Sequence, residues 1–162
     1  NYYSTELTQK ASQILKELGT PCLIHQPRYN LMDRRIENGL LKTLENEGIG
    51  CIPFSVLNQG ILSNKYLGQI PEGSRIAKAH TPMEKNNLTD HLMQKISYLN
   101  KIALERGQSL AQMALAWVLR NESVTTALCG VSQPKQIEDN VKALNHLEFD
   151  SDELAKIDQI VS

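Results

Sequence analysis

A few residues have side chains and spacing suited to chemistry on a small molecule. Gln26 follows the apolar run Cys22-Leu23-Ile24-His25 and offers an amide that can pair with another amide, although a turn-capping Gln would look the same. Phe54 follows Gly50-Cys51-Ile52-Pro53 and offers either a flat face to an aromatic ring or an ordinary core side chain. Gly130 and Ser132 stand just before a helix start marked by Pro134. Free N–H groups and the helix dipole favour a phosphate there, and a Ser N-cap is the simpler use of the same residues. Lys65 and Arg75 lie in an irregular segment, where they could clamp a pyrophosphate or remain solvated surface charges. His25 reads as a core or rim histidine rather than a base, and His80, His91 and His146 have no ligand spacing. No GxGxxG, GxxxxGK[ST] or GxSxG occurs. Cys22, Cys51 and Cys129 have no short metal-type spacing and sit in apolar runs, so buried reduced thiols and no metal site are expected.

These residues need elements to hold them, and helical and strand periods alternate along the chain. Ser4 or Thr5 can cap a helix carrying Leu7, Ala11, Ile14, Leu15 and Leu18 on one face, with Gly19 as its stop. The short apolar run 21–26, closed by Pro27, predicts a strand. Leu40, Leu41 and Leu44 predict a second helix ending near Gly48, and 50–54 a second strand in which Pro53 cannot donate to a ladder. The segment from Asn58 to Asn87, rich in Gly, Asn, Ser and Pro, reads as a long loop with one short helix around Leu62 to Leu67. Loops of that length are more often functional than filler. Leu92, Ile96, Leu99, Ile102 and Ala103 mark a strong helix stopped at Gly107. Ser109 with Gln112 forms a capping box opening another, with Met113, Ala114, Trp117 and Val118 on its buried side. Val124 to Cys129 predicts a third strand. A helix with Ile137, Val141 and Leu144 follows, and Ser151 caps a last one bearing Leu154, Ile157 and Ile160.

Strands alternating with helices imply an α/β fold with a parallel sheet and right-handed crossovers, whose ligands bind at the carboxyl ends of the strands. Three parallel strands leave two open edges, so the pattern suits part of a larger sheet or barrel. The chain has 162 residues, whereas a complete eightfold barrel needs about 250. With 41% hydrophobic residues the chain can build a core. Lys plus Arg is 17 and Asp plus Glu is 18, a net charge of −1, which removes the electrostatic basis for a nucleic-acid partner. No apolar stretch of about 18 residues exists to span a membrane. Asn1-Tyr2-Tyr3-Ser4 has neither a basic nor an apolar leader region, and no start Met. The expectation is a cytoplasmic protein whose chain begins inside something longer or was processed.

Three runs carry a specific likeness. They are Gln26-Pro27-Arg28-Tyr29-Asn30-Leu31, the stretch from Phe54 to Tyr66 (Phe54-Ser55-Val56-Leu57-Asn58-Gln59-Gly60 onward), and Gly130-Val131-Ser132-Gln133-Pro134-Lys135-Gln136-Ile137-Glu138-Asp139-Asn140. In order and spacing they resemble the aldo-keto reductase family, in particular its glyceraldehyde 3-phosphate-reducing and potassium-channel β-subunit branches. The resemblance covers essentially the whole chain. It implies that residues 1–162 are the C-terminal portion, about three parallel strands with their helices, of a single (β/α)8 TIM barrel domain. It further implies an NADP(H)-dependent oxidoreductase that reduces aldehydes or ketones, with glyceraldehyde 3-phosphate or a methylglyoxal-like compound as candidate substrates. A nucleotide-sensing regulatory subunit or an inactive truncated product are the alternatives. A homo-oligomer is also compatible with it.

The roles implied by the resemblance follow the motifs. Asn1 and Gln26 would hold the nicotinamide carboxamide, and Phe54 would stack on its ring. Ser55, Leu57, Asn58 and Gln59 would line the pyrophosphate, with Lys65 and Arg75 as basic clamps. Gly130, Ser132, Gln136 and Asn140 would receive the adenosine part and its 2′-phosphate. Gln133 departs from the Arg that many relatives carry facing that phosphate, which weakens NADP relative to NAD, although NADP remains the expected cofactor. Val56 replaces a frequent Pro, and Asn64 a frequent Gly. The family's catalytic Tyr, Lys, Asp and His belong to strands not represented here. Tyr2, Tyr3 and Tyr29 do not match the catalytic Tyr, so no catalytic residue is assigned.

Overall fold

A computed structural model describes residues 4–67 and 89–162. Asn1, Arg75 and His80, together with most of the predicted long loop, lie outside the described residues. The chain divides into two compact units, Asn1–Val56 with Trp117–Gly130, and Leu57–Ala116 with Val131–Ser162.

In the first unit, α1 (Thr5–Glu17) begins where Ser4 accepts a hydrogen bond from the Leu7 N–H at 3.3 Å. The helix ends ahead of Gly19, which is left-handed at φ +71°. α2 (Leu40–Glu47) ends on a left-handed Gly48, as its sequence predicts. β1 (Ile24–His25) and β2 (Gly50–Cys51) pair in parallel, with Ile24 opposite Gly50. The core of this unit is Tyr29, Leu31, Ile36, Leu40, Leu44 and Trp117, all essentially inaccessible to solvent. Each such side chain removed from water contributes roughly 1.5–3 kcal/mol.

Two expectations for this unit need correction. The third strand, predicted over 124–129, is reduced to one parallel bridge between Cys51 and Val124. The Cys51 N–H donates to the Thr125 side-chain oxygen at 3.2 Å rather than to a backbone carbonyl. A side chain has taken a rung of the ladder, so regular pairing is not sustained. The run stays parallel to β2 all the same: the Thr125 N–H reaches the Cys51 carbonyl at 2.8 Å and the Leu128 N–H the Pro53 carbonyl at 2.9 Å. The second correction concerns α1, which buries Thr8 and Ser12 instead of its leucine stripe. Ser12 Oγ and Lys16 Nζ both bind Glu47 at the end of α2, at 2.7 and 2.8 Å. That polar seam turns Leu7, Ile14 and Leu18 outward, with Leu18 at 70% exposure.

In the second unit, α3 (Asp90–Glu105) is capped by the Thr89 side chain and packs on α6 (Ser151–Val161). Leu99, Leu110, Met113 and Ile157 are fully buried there. α4 (Leu110–Leu119) opens with the predicted capping box. The Ser109 N–H donates to Gln112 Oε1 at 3.0 Å, and the Gln112 N–H to Ser109 Oγ at 3.2 Å. α5 (Pro134–Val141) continues into a short 3-10 turn, Lys142–Asn145. Its predicted apolar face is not buried: Ile137, Val141 and Leu144 are all more than half exposed. The cap of α6 is Asp150, one residue before the predicted Ser151, in a reciprocal pair with Glu153.

Candidate functional site

Parallel alignment sends the carboxyl ends of the first unit's strand runs to one side. Gln26 follows directly on β1 and is exposed. Beyond the sheet, the Phe54 N–H donates to the Pro27 carbonyl at 3.0 Å, and Arg28 and Phe54 form a parallel bridge. The chain leading to Gly130 runs beside Pro53 through the Leu128 bond. Gln26, half-buried Phe54 and exposed Gly130 are thereby brought to the ends of adjacent parallel runs. An amide and a half-open ring at one sheet end suit a flat, amide-bearing heterocycle. His25 is 7% exposed, in keeping with the core reading.

The segment after Gln26 is locked from below. The Tyr29 hydroxyl donates to Glu37 at 2.6 Å, and Arg34 grips the same carboxylate at 2.8 Å. Burial and the neighbouring Glu37 push the Tyr29 phenol well above its ordinary pKa, so it stays protonated. The Tyr29 ring lies 5.2 Å from the Trp117 ring, which also carries the Arg34 and Arg120 guanidinium groups at 5.0 and 4.0 Å. Asn30 is fully buried. Its Nδ2 donates to the Ser55 carbonyl at 3.0 Å, and its Oδ1 accepts the Met32 N–H at 2.9 Å.

The chain beyond Phe54 is strained. Ser55, Asn58 and Gln59 hold left-handed φ values of 56°, 44° and 58°, all unusual away from glycine. Such outliers persist where the surroundings over-determine them, and they gather at ligand sites. The change of hand from Leu57 (φ −94°) to Asn58 turns successive N–H groups toward one side, the backbone form that binds anions. Ser63 fixes the following turn, donating to the Gly60 carbonyl at 2.6 Å and accepting the Lys65 N–H at 3.4 Å. Lys65 is exposed, its ammonium 5.8 Å from the Tyr66 ring centre.

At the start of α5 the structure departs from the Ser-cap reading. Gln133, not Ser132, occupies the N-cap position. Gln136 folds back so that its Oε1 accepts the Ser132 N–H at 2.7 Å and the Gln133 N–H at 3.2 Å. The amides expected to meet a phosphate already have an acceptor in Gln136. Asn140 is half-buried at the far end of α5, beside Asp139, whose carbonyl accepts Gln112 Nε2 at 2.8 Å. Gln112 and the Leu110 N–H, which reaches Asn64 Oδ1 at 3.4 Å, tie the first turn of α4 to both loop regions of this unit.

All three cysteines are free, but only Cys51 is buried as expected, its thiol pushed up to about 11 by burial. Cys22 is half-buried and Cys129 exposed. Cys129 ends the run that never becomes a full strand. Among the described residues no cluster of His, Cys, Asp or Glu could hold a metal ion. No helix among them is long and apolar enough to cross a membrane.

The family model described as the Aldo/keto reductase family matches residues 1–162. The chain belongs to that family. It is 48% identical over 164 residues to an L-glyceraldehyde 3-phosphate reductase of Escherichia coli O157:H7, covering 99% of this chain and 47% of that protein. It is 46% identical over 164 residues to the L-glyceraldehyde 3-phosphate reductase of Escherichia coli K12, with the same coverage of each chain. A putative voltage-gated potassium channel subunit beta of Schizosaccharomyces pombe is 37% identical over 142 residues, 85% of this chain and 41% of that one. The chain thus spans about half the length of the curated relatives it matches.

Sequence reasoning missed two residues that shape this family member's strand ends and loops. Asn30 lies in the quoted Gln-Pro-Arg-Tyr-Asn run, yet no local pattern shows that its side chain reaches a carbonyl 25 residues away. Gln112 was legible as a cap, but its second bond, to Asp139, is a tertiary contact without local signature.

Proposed function

We propose that this chain is the C-terminal portion of an aldo/keto reductase (β/α)8 barrel and supplies much of its nicotinamide cofactor site. The observation that carries the reading is the convergence of Gln26, Phe54 and Gly130 on the ends of adjacent parallel runs, in a member of this family. Gln26, with Asn1, would pair with the carboxamide. Phe54 would lie against the ring and fix which face can meet a carbonyl. Ser55, Leu57, Asn58 and Gln59 would present backbone N–H groups to the pyrophosphate, with Lys65 and Arg75 adding charge. Gly130, Ser132, Gln136 and Asn140 would receive the adenosine end.

The residues present fit that group. A half-open aromatic and an exposed amide are what such a molecule needs at its nicotinamide end, and an anion-type backbone turn is what it needs at its pyrophosphate. Bound NADPH supplies a hydride, and the substrate class is an aldehyde or ketone, glyceraldehyde 3-phosphate or a methylglyoxal-like compound among them. The general acid would be a Tyr on barrel strands that this chain does not carry, and no residue of this chain is assigned a catalytic role. NADP is favoured over NAD by the family likeness, with Gln133 making the preference weak. A small-molecule substrate, no nucleic-acid or membrane partner, a homo-oligomer of the whole protein and a cytoplasmic setting complete the reading.

Titration of the full-length protein with NADPH and with NADH, followed by quenching of protein fluorescence, tests this directly. Saturable quenching is expected with both and tighter with NADPH, and quenching by neither would overturn it. The likeness to a channel β subunit favours one second reading, a nucleotide-sensing regulatory subunit. Steady turnover of methylglyoxal or glyceraldehyde 3-phosphate separates the two, because a sensor would bind the nucleotide with almost none.

A further inference from the structure

We propose that Asn30 is a positioning residue for the cofactor loop. Its side-chain amide holds the Ser55 carbonyl, keeps Ser55 left-handed, and so sets how Phe54 and the chain after it meet the nicotinamide end of the cofactor. This inference rests on the cofactor reading above and goes beyond it, because Asn30 itself would touch no ligand.

The argument starts from strain. A serine at φ +56° occupies a region that is costly for an L-residue, and something must hold it there. Asn30 is the holder the structure shows. It is inaccessible to solvent, and every polar group it owns is engaged. Its N–H and carbonyl exchange bonds with Asp33 at 3.2 and 3.0 Å, and Oδ1 takes the Met32 N–H. These three bonds make a closed turn over 30–33, and they would suffice if Asn30 were only a turn residue. The fourth bond, Nδ2 to the Ser55 carbonyl, does nothing for that turn. It reaches the residue after Phe54, while the Tyr29 N–H reaches the Phe54 carbonyl itself at 3.4 Å. Tyr29 and Asn30 therefore grip consecutive carbonyls at the point where the strand run becomes the strained loop. Tyr29 is anchored in turn by Glu37 and Trp117.

The side chain of Asn30 divides these two roles between its two ends, so they can be tested apart. Asn30→Asp keeps an acceptor for Met32 and removes the donor to Ser55. Ser55→Gly makes the left-handed backbone accessible without a holder. Kd for NADPH is measured in the full-length protein for the parent, the two single variants and the double variant, with thermal unfolding recorded alongside. Asn30→Asp is expected to weaken NADPH binding about tenfold in the parent and about threefold or less beside Ser55→Gly, a coupling that a purely structural asparagine would not produce. An equal penalty in both backgrounds, or none in the parent, overturns the proposal. If Asn30→Asp does not fold, Asn30→Ser takes its place in the same cycle, since its hydroxyl can still accept the Met32 N–H. A parent that binds neither NADPH nor NADH would bring down the cofactor reading and this inference with it. A parent that binds while the cycle shows no coupling would bring down this inference alone.

Discussion

Gln133 shows how much one side chain would decide at the phosphate seat proposed for the start of α5. It stands at the N-cap of α5, exposed, with its own N–H already given to Gln136. A glutamine there can offer a 2′-phosphate a neutral hydrogen bond but no charge. Arginine at the same place would offer a fork of donors matched to phosphate oxygens. Gln133→Arg in the full-length protein is therefore expected to tighten NADPH binding and leave NADH binding nearly unchanged. A charge-assisted bond is worth about 1.5–3 kcal/mol, and solvent screening at this exposed site brings the expected shift in the NADPH-to-NADH Kd ratio down to about threefold to tenfold. Paired titrations at low and high salt check it, because the gain should shrink as salt rises. No change in the ratio would show that the α5 end does not face the 2′-phosphate. The sequence alone exposed Gln133 as a departure. It could not show that Gln136 turns its amide oxygen onto the same N–H groups, because that contact depends on a rotamer rather than a pattern.

Elements follow local rules wherever the rule concerns only neighbours along the chain. The Ser4 cap, the Ser109–Gln112 box and the stops at Gly19, Gly48 and Gly107 all stand where composition put them. The failures are tertiary. α1 turns Leu7 and Leu18 outward because Glu47, from another helix, binds buried Ser12 on the inner face, with Lys16 closing over the same carboxylate from the exposed side. The 124–129 strand is cut short by a threonine hydroxyl. Arg106 was invisible for the same reason. At the end of α3 its buried guanidinium binds Glu153 at 2.6 Å, Gln108 Oε1 at 2.9 Å and the Glu148 carbonyl at 2.8 Å, and it stacks over Phe149 at 3.7 Å. One side chain thus fastens α3 to the segment leading into α6. Removing one partner of a buried ionic set leaves the others desolvated, so Arg106→Met should cost about 3–5 kcal/mol. Urea unfolding should show a lower midpoint with an unchanged slope. A loss under about 1 kcal/mol would show that the cluster is no more than a surface-type contact.

At the scale of the whole molecule, exposed apolar surface sets the behaviour. Leu18, Leu23 and Ile24 are 70%, 73% and 56% exposed, and Leu7 and Ile14 about half. They belong to α1, its C-cap and the run that forms β1, and β1 has a strand partner on one side only among the described residues. An open parallel edge flanked by large apolar side chains is a template for association. On the proposed reading, another strand and helix of the barrel would cover it, which would account for leucine and isoleucine where a free surface would carry charge. The 162-residue chain expressed by itself is therefore expected to self-associate, and sedimentation velocity should show a sedimentation coefficient that rises with protein concentration. Leu18→Lys together with Leu23→Lys should reduce that association while leaving far-UV circular dichroism close to the parent's, since neither side chain is buried in this unit. A monomer that unfolds cooperatively over a wide concentration range would contradict the open edge, and with it the view that this chain is one part of a larger barrel.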